Sequence, residues 1–341
     1  MKNESARIAF VGAGCHATES LYPNIAHIPE FDLVAVCDLD EGKARSAAKR
    51  FGAPRHFTDL DSLLEQTELD GVCACGPPQM HFEVAGACLA KDLPVFVEKP
   101  PAPDSASCEE LLKCARAGGA FCMVGFMKRF APANRVAAEV MSKPDFGALS
   151  TVSLVHGSGP YDDVYRMMIF NGIHMIDLAF FFGGDIESVS ARSSQAEGSA
   201  KALAVNFAYA SGAVGTLNMN SAHSWQDCYE EVYVSGTGEA IYIDASKACE
   251  VMSSGRRFAD GKGLELFGWS GRYYVSGNMA GWWAGGHYTR GYWGELDRFA
   301  KACLGRAAPT PTLEDALKAM RFIDAALASA SQGGHSVDLP H

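Results

Sequence analysis

Along the first 128 residues, short apolar runs alternate with segments of helical spacing. Runs at 7–11, 32–37, 71–75, 94–97 and 120–124 read as strands, and the stretches 41–51, 80–90 and 105–117 repeat their apolar positions at the helical period. Parallel neighbours need crossover connections, so the alternation predicts an α/β, doubly wound parallel sheet with helices on both faces. From about residue 150 the period changes to two, over 151–155, 188–193, 203–209, 213–220, 230–235 and 239–244. Turns such as Ala210-Ser211-Gly212 and Gly236-Thr237-Gly238 join successive runs. That texture predicts an α+β region built on one large, open, mostly antiparallel sheet, arranged as a meander. Its uncovered face suits self-association, so a homodimer or homotetramer is expected. After Pro311, Thr312-Leu313-Glu314-Asp315 reads as a capping box with Asp in place of Glu, and Leu317, Met320, Ile323 and Leu327 mark the face of a closing helix.

Composition narrows the partners. The 341 residues carry 29 Lys plus Arg against 40 Asp plus Glu, a net charge of −11. That balance argues against nucleic acid or an anionic membrane surface as the main partner. No apolar stretch approaches the length of a spanning helix, and the N-terminal residues show no secretory pattern, so the expected location is the cytoplasm. The eleven cysteines are scattered and form no Cys-x-x-Cys. Cys37, Cys73, Cys75 and Cys122 fall in apolar strand patterns and read as buried thiols, with no metal site expected.

Gly12-Ala13-Gly14-Cys15-His16-Ala17 follows the first strand and opens a helix, giving Gly-x-Gly-x-x-Ala. The first glycine permits the tight turn, and the second lets backbone approach a pyrophosphate seated on the helix N-terminus. Asp38 closes the second strand, where a carboxylate accepts from both ribose hydroxyls and repels a 2′-phosphate. NAD is therefore the expected cofactor, with NADP left open by Lys43 and Arg45. Asp40 reads as an N-cap of the next helix. Val95-Phe96-Val97-Glu98-Lys99-Pro100 ends an apolar strand in charge, at the sheet edge where ligands bind. A lysine there, partly buried, can polarise a carbonyl or trade a proton with a hydroxyl.

Taken in order, Gly12–Ala17, Asp38, Gly76-Pro77-Pro78-Gln79-Met80-His81, Glu98-Lys99-Pro100, Gly125-Phe126-Met127-Lys128-Arg129-Phe130, Gly172-Ile173-His174-Met175-Ile176-Asp177 and Gly291-Tyr292-Trp293-Gly294-Glu295-Leu296 resemble the glucose-fructose oxidoreductase, inositol dehydrogenase and rhizopine catabolism (Gfo/Idh/MocA) family. The resemblance implies a Rossmann domain over 1–128, a substrate and oligomerisation domain over 129–312, a C-terminal helix over 313–332 and a tail over 333–341. It implies NAD(P)-dependent hydride transfer at a carbinol carbon of a sugar, cyclitol, sugar acid or related polyol. Lys99 and His174 match the catalytic lysine and histidine. Gly12, Gly14, Cys15, His16, Asp38, Gly76, Pro77, His81 and Glu98 fall around the cofactor.

One departure stands out. Members resembling inositol dehydrogenase carry Asp four residues before the histidine, where this chain has Phe170. Asn171, Asp162 or Asp163 are alternatives for its hydrogen bonds. Arg129 is open between an interdomain ion pair and a substrate contact. Residues 261–294, rich in glycine and tryptophan, are open between packing on a sheet edge and a wall over the site, with Trp282, His287 and Tyr288 as its candidates. Phe170 also motivates an alternative function, a catalytically silent regulator of the same fold that senses NAD(P).

Overall fold

The structure is a computed structural model that describes residues 4–194, 200–225, 228–245, 248–253, 269–274 and 287–340. The chain forms two compact units, Met1–Phe130 with Gly285–Lys318, and Ala131–Ala284 with Ala319–His341.

The first unit is built on β1 (Ala6–Val11), β2 (Phe31–Cys37), β3 (Arg55–Phe57), β4 (Gly71–Ala74), β5 (Val95–Glu98) and β6 (Cys122–Gly125), in the parallel order β3-β2-β1-β4-β5-β6. The chain reverses its winding between β1 and β4, which opens the crevice where a nucleotide binds. A π turn, Ala17–Leu21, leads into α1 (Tyr22–Ile25). The crossovers are α2 (Glu41–Phe51), α3 (Leu60–Gln66), α4 (Pro78–Leu89) and α5 (Ser105–Ala117). Asp40, Asp59 and Asp104 cap α2, α3 and α5 by accepting from Lys43, Ser62 and Ser107 amides. These caps satisfy orphan amides and fix where each helix starts.

The second unit opens with α6 (Pro132–Met141) and β7 (Leu149–Gly159). α7 (Val164–Met167), a π segment (Met168–Gly172) and α8 (Ile173–Gly183) follow as one continuous helical stretch. Then come β8 (Ile186–Ser193), β9 (Ala202–Tyr209), β10 (Val214–Ser224), β11 (Tyr229–Gly236), β12 (Glu239–Asp244), β13 (Ala248–Ser253) and β14 (Trp269–Tyr274). The sheet order is β14-β13-β12-β11-β7-β10-β9-β8-β15, with β15 at Val337–Asp338. This corrects the simple meander. β7 lies between β10 and β11 and runs parallel to β10. Period-two patterning sets which face a residue takes but not its strand's neighbour, and β7 is tied to β8 by helices rather than by a hairpin. α8 packs on β7 and β10, and the Tyr209 hydroxyl at the end of β9 donates to Ala179 O at 3.0 Å. The opposite face leaves Val214, Tyr229 and Tyr233 exposed.

Residues 287–312, which the sequence places in the second domain, belong with the first sheet. α9 (His287–Arg290) and α10 (Tyr292–Cys303) bring Leu296, Phe299 and Ala300 into the core formed by Phe10, Cys73 and Phe96. α11 (Leu313–Ser331) begins in the first unit and ends in the second. At its start the Thr312 amide donates to the Asp315 carboxylate at 2.8 Å, as the capping box requires. Among the described residues, no helix is long and apolar enough to cross a membrane.

Candidate functional site

The glycine turn is fixed from both sides. Gly12 N donates to Cys37 O at 2.7 Å, Cys75 N donates to Val11 O at 2.9 Å, and the Tyr22 hydroxyl donates to Gly12 O at 3.1 Å. Gly12 has φ +101°, and a Cβ there would lie 2.1 Å from Cys75 O. Glycine is the residue that this turn admits. A Cβ on Gly14 would meet nothing within 4 Å and would fill the approach to the helix N-terminus. This cradle fits a pyrophosphate. Cys15 and His16 are exposed beside it.

At the end of β2 the Asp38 carboxylate accepts from Ala13 N at 2.8 Å and from Asp40 N at 2.9 Å. It is thereby aimed at the turn, beside a cleft of about 450 Å³ lined by Thr18, Lys43, Ser46 and Arg50. Arg45 instead pairs with Glu41 along α2. These residues fit the ribose end of a dinucleotide. Asp38→Ala is expected to weaken NAD about 10- to 100-fold, the worth of charge-assisted hydrogen bonds, and to narrow the gap to NADP. Paired affinity measurements for the two cofactors check it.

His81 joins the cofactor turn to the chemical end. Gly76 N donates to its Nε2 at 2.8 Å, which leaves Nδ1 to donate to Pro100 O, also at 2.8 Å. Burial pushes the imidazole below its ordinary range, in keeping with this neutral tautomer. Pro77 is the N-cap residue of α4 and Pro78 opens it, where a missing amide costs nothing.

Glu98 is buried at the end of β5, and Lys99 just beyond it is half-buried. Burial alone raises the Glu98 carboxyl, but His16 at 3.5 Å, Lys99 and His81 together hold it below the usual carboxylate range. Burial lowers Lys99 from the ordinary lysine range, opposed by Glu98. A lysine poised in this way exchanges protons more readily than one in water.

In the second unit, His174 is buried at the first turn of α8. The helix approaches β10 at Gly172, where a Cβ would lie 2.4 Å from Met219 Cε. Asp177, one turn on, is buried. Phe170 is 38% exposed. Asn171 is held by a chain that the sequence reading missed. His156 and Glu230 face each other across β7 and β11, with Nδ1 3.3 Å from Oε1. His156 Nε2 lies 2.8 Å from Ser158 Oγ, and Asn171 Nδ2 donates to the same oxygen at 2.9 Å. Ser158 Oγ thus joins the His156 ring to the Asn171 amide, which donates to it. One amide N–H is thus used by Ser158, and Asn171 Oδ1 faces away from that oxygen. The signal was parity: His156 and Ser158 share the face of Val152 and Leu154, where polar side chains need partners.

Other candidates go elsewhere. Arg129 pairs with Asp315 at 3.0 Å inside the first unit, so this ion pair is not interdomain. The Asp162 side chain is 87% exposed and pairs with Arg166. Tyr288 is exposed on α9 against Trp293. Trp282 and the His287 side chain lie outside the described residues. Glu295, unassigned by the sequence reading, is completely buried on α10.

Residues 6–126 match the oxidoreductase family with an NAD-binding Rossmann fold, and residues 167–339 match that family's C-terminal alpha/beta domain. The chain belongs to the Gfo/Idh/MocA oxidoreductase family. It is 28% identical to inositol 2-dehydrogenase 2 of Saccharopolyspora erythraea over 57% of this chain and 59% of that protein. It thus spans less than two thirds of that relative. Against inositol 2-dehydrogenase 4 of the same organism it is 30% identical, over 70% of this chain and 74% of the relative. A dehydrogenase from Chromobacterium violaceum shares the fold with a TM-score of 0.86 at 24% identity, covering 97% of each chain. For this Gfo/Idh/MocA member, Gly12, Gly14 and Asp38 have the geometry that fits NAD.

Proposed function

We propose that the protein is an NAD-dependent oxidoreductase acting on a carbinol carbon of a sugar, cyclitol, sugar acid or related polyol. The observation that carries this reading is Lys99, half-buried just past the carboxyl end of β5, beside the buried Glu98. The names of the inositol dehydrogenase relatives support the substrate class. When bound, the nicotinamide supplies the hydride acceptor or donor. His174 takes the hydroxyl proton, aided by Lys99, and Asn171 Oδ1 accepts from a neighbouring hydroxyl in place of the carboxylate lost at Phe170. The open face of the second sheet, with Val214, Tyr229 and Tyr233, favours a dimer or tetramer. A cytoplasmic location accords with the reading.

A screen of sugars, cyclitols, sugar acids and their keto forms, followed by nicotinamide absorbance, tests it. No turnover with any class, together with tight NAD binding, selects the regulator reading that Phe170 favours. With an active substrate, Asn171→Ala is expected to raise KM about 10-fold, one hydrogen bond's worth, with kcat little changed. Steady-state kinetics check the split.

A further inference from the structure

In the second unit a row of polar side chains runs from β11 to Asn171. Glu230 stands directly opposite His156 in the antiparallel pairing of β11 with β7. Its Oε1 lies 3.3 Å from His156 Nδ1, at ion-pair distance but off the line of an aligned hydrogen bond. On the other side of the ring, Nε2 is 2.8 Å from Ser158 Oγ, and the Asn171 amide reaches the same oxygen at 2.9 Å. His156 and Ser158 are 2% and 0% exposed, so bulk solvent neither screens the carboxylate nor offers the serine a substitute partner. Tyr161, also buried, closes the group. Its hydroxyl comes up beside Ser158 and Asn171, and burial pushes it up and keeps it uncharged. Asn171 itself is half-buried.

A serine hydroxyl has one proton and two lone pairs, and an asparagine amide has a donor end and an acceptor end of nearly the same shape. The direction of the serine proton therefore decides which way round the amide is held. If His156 Nε2 is bare, that proton points to the ring and Ser158 has only lone pairs left for Asn171. The amide must then turn Nδ2 inward, because Oδ1 would face an oxygen with no proton to give. If Nε2 carries the hydrogen, the serine proton is released and either end of the amide is tolerated. Glu230 separates the two cases. A carboxylate 3.3 Å from Nδ1 attracts an N–H there and repels a lone pair, even off the hydrogen-bond line. We infer that Glu230, His156 and Ser158 are positioning residues: the Glu230 charge puts the imidazole proton on Nδ1, Ser158 donates to Nε2, and Asn171 is held with Nδ2 inward and Oδ1 on its half-exposed side. The site then presents an acceptor, which takes a substrate hydroxyl as donor and rejects an ether oxygen in its place. The choice of hydroxyl over ether rests on the reading of Asn171 as a substrate contact, whereas the proton's place on His156 and the amide's orientation do not.

Nitrogen NMR of the full-length protein carrying isotope-labelled histidine, without substrate or cofactor, tests the inference directly, with His156→Gln identifying the resonance. Wild type is expected to show a neutral His156 with its hydrogen on Nδ1. Glu230→Gln, uncharged and of the same shape, is expected to move that hydrogen partly or wholly to Nε2. A hydrogen on Nε2, or on both nitrogens, in wild type overturns the inference, as does an unchanged ring in Glu230→Gln. Ser158→Ala keeps the charged pair, so the Nδ1 proton is expected to stay while the Asn171 side-chain amide signals lose the shift of a bonded N–H. Amide signals identical to wild type overturn the part given to Ser158. With an active substrate, Glu230→Gln is expected to raise KM about 3- to 10-fold with kcat little changed. Across the mono-O-methyl derivatives of that substrate, wild type is expected to reject the ether most strongly at one position, and Glu230→Gln to narrow that one ratio, because the turned amide donates to the ether oxygen. A merely structural role would lower activity toward all derivatives alike. The two readings fail separately: a displaced proton with unchanged KM and ether ratios overturns Asn171 as a substrate contact and supports the positioning chain, and a raised KM with the wild-type proton on Nε2 does the reverse.

Discussion

Replacing Lys99 by alanine is expected to lower kcat by about 10²- to 10⁴-fold, the usual worth of a positioned proton-transfer group, while NAD binding is retained. The separation follows from where each job is done. The cradle is made by the Gly12 turn, the open approach at Gly14 and the Asp38 carboxylate, which is set by the Ala13 and Asp40 amides. None of these contacts involves the lysine. Removing the Lys99 side chain leaves Glu98 with His16 at 3.5 Å and the residue-99 backbone amide at 3.1 Å, so the carboxylate is not stranded. Lys99→Met keeps the bulk of the stem and serves as the packing control. Steady-state kinetics and a cofactor titration on the same preparation decide the matter, and an unaffected rate overturns the lysine assignment.

Gly12→Ala is expected to destabilise the protein by about 3 to 5 kcal/mol, combining left-handed backbone strain with the overpacking of a rigid site. For a unit of this size that corresponds to a fall in Tm of about 6 to 20 °C. The new Cβ would lie 2.1 Å from a backbone oxygen, that of Cys75, rather than from the end of a flexible side chain. Neither strand end can withdraw, because Gly12 N is bound to Cys37 O and Cys75 N to Val11 O. NAD binding should be lost with the turn. Gly14→Ala is the contrast, since its Cβ meets nothing within 4 Å. The fold should tolerate it while NAD affinity falls. Thermal melts and cofactor titrations of the two variants separate the glycine needed by the chain from the one needed by the ligand.

The Rossmann half was legible because its signals are local. A strand, a glycine turn and an acid at the next strand's end occur within a short stretch, and the same residues that bind make the turn. Asp40 and Asp315 were legible as caps for the same reason, because a cap acts on amides two or three residues away. What was hidden depends on pairing over long distance. The His156–Glu230 contact exists because β7 and β11 are neighbours in one register, and no period in the sequence states which strands adjoin. Arg129 was ambiguous until Asp315 was found beside it. Glu295 lay in plain view as an acid among Tyr292, Leu296 and Phe299, but its burial required knowing that α10 returns to the first sheet.

That return bears on how the protein is made. A nascent chain ending at Ala284 has the six strands of the first sheet but lacks Leu296, Phe299 and Ala300, so its apolar surface around Phe10, Cys73 and Phe96 is still open. The second unit is also unfinished, because it needs Ala319–His341. Instead of one domain closing while the next is synthesised, both cores wait for residues beyond 284. Truncations at residue 284 that spare every residue of the cofactor cradle are therefore expected to yield insoluble chains.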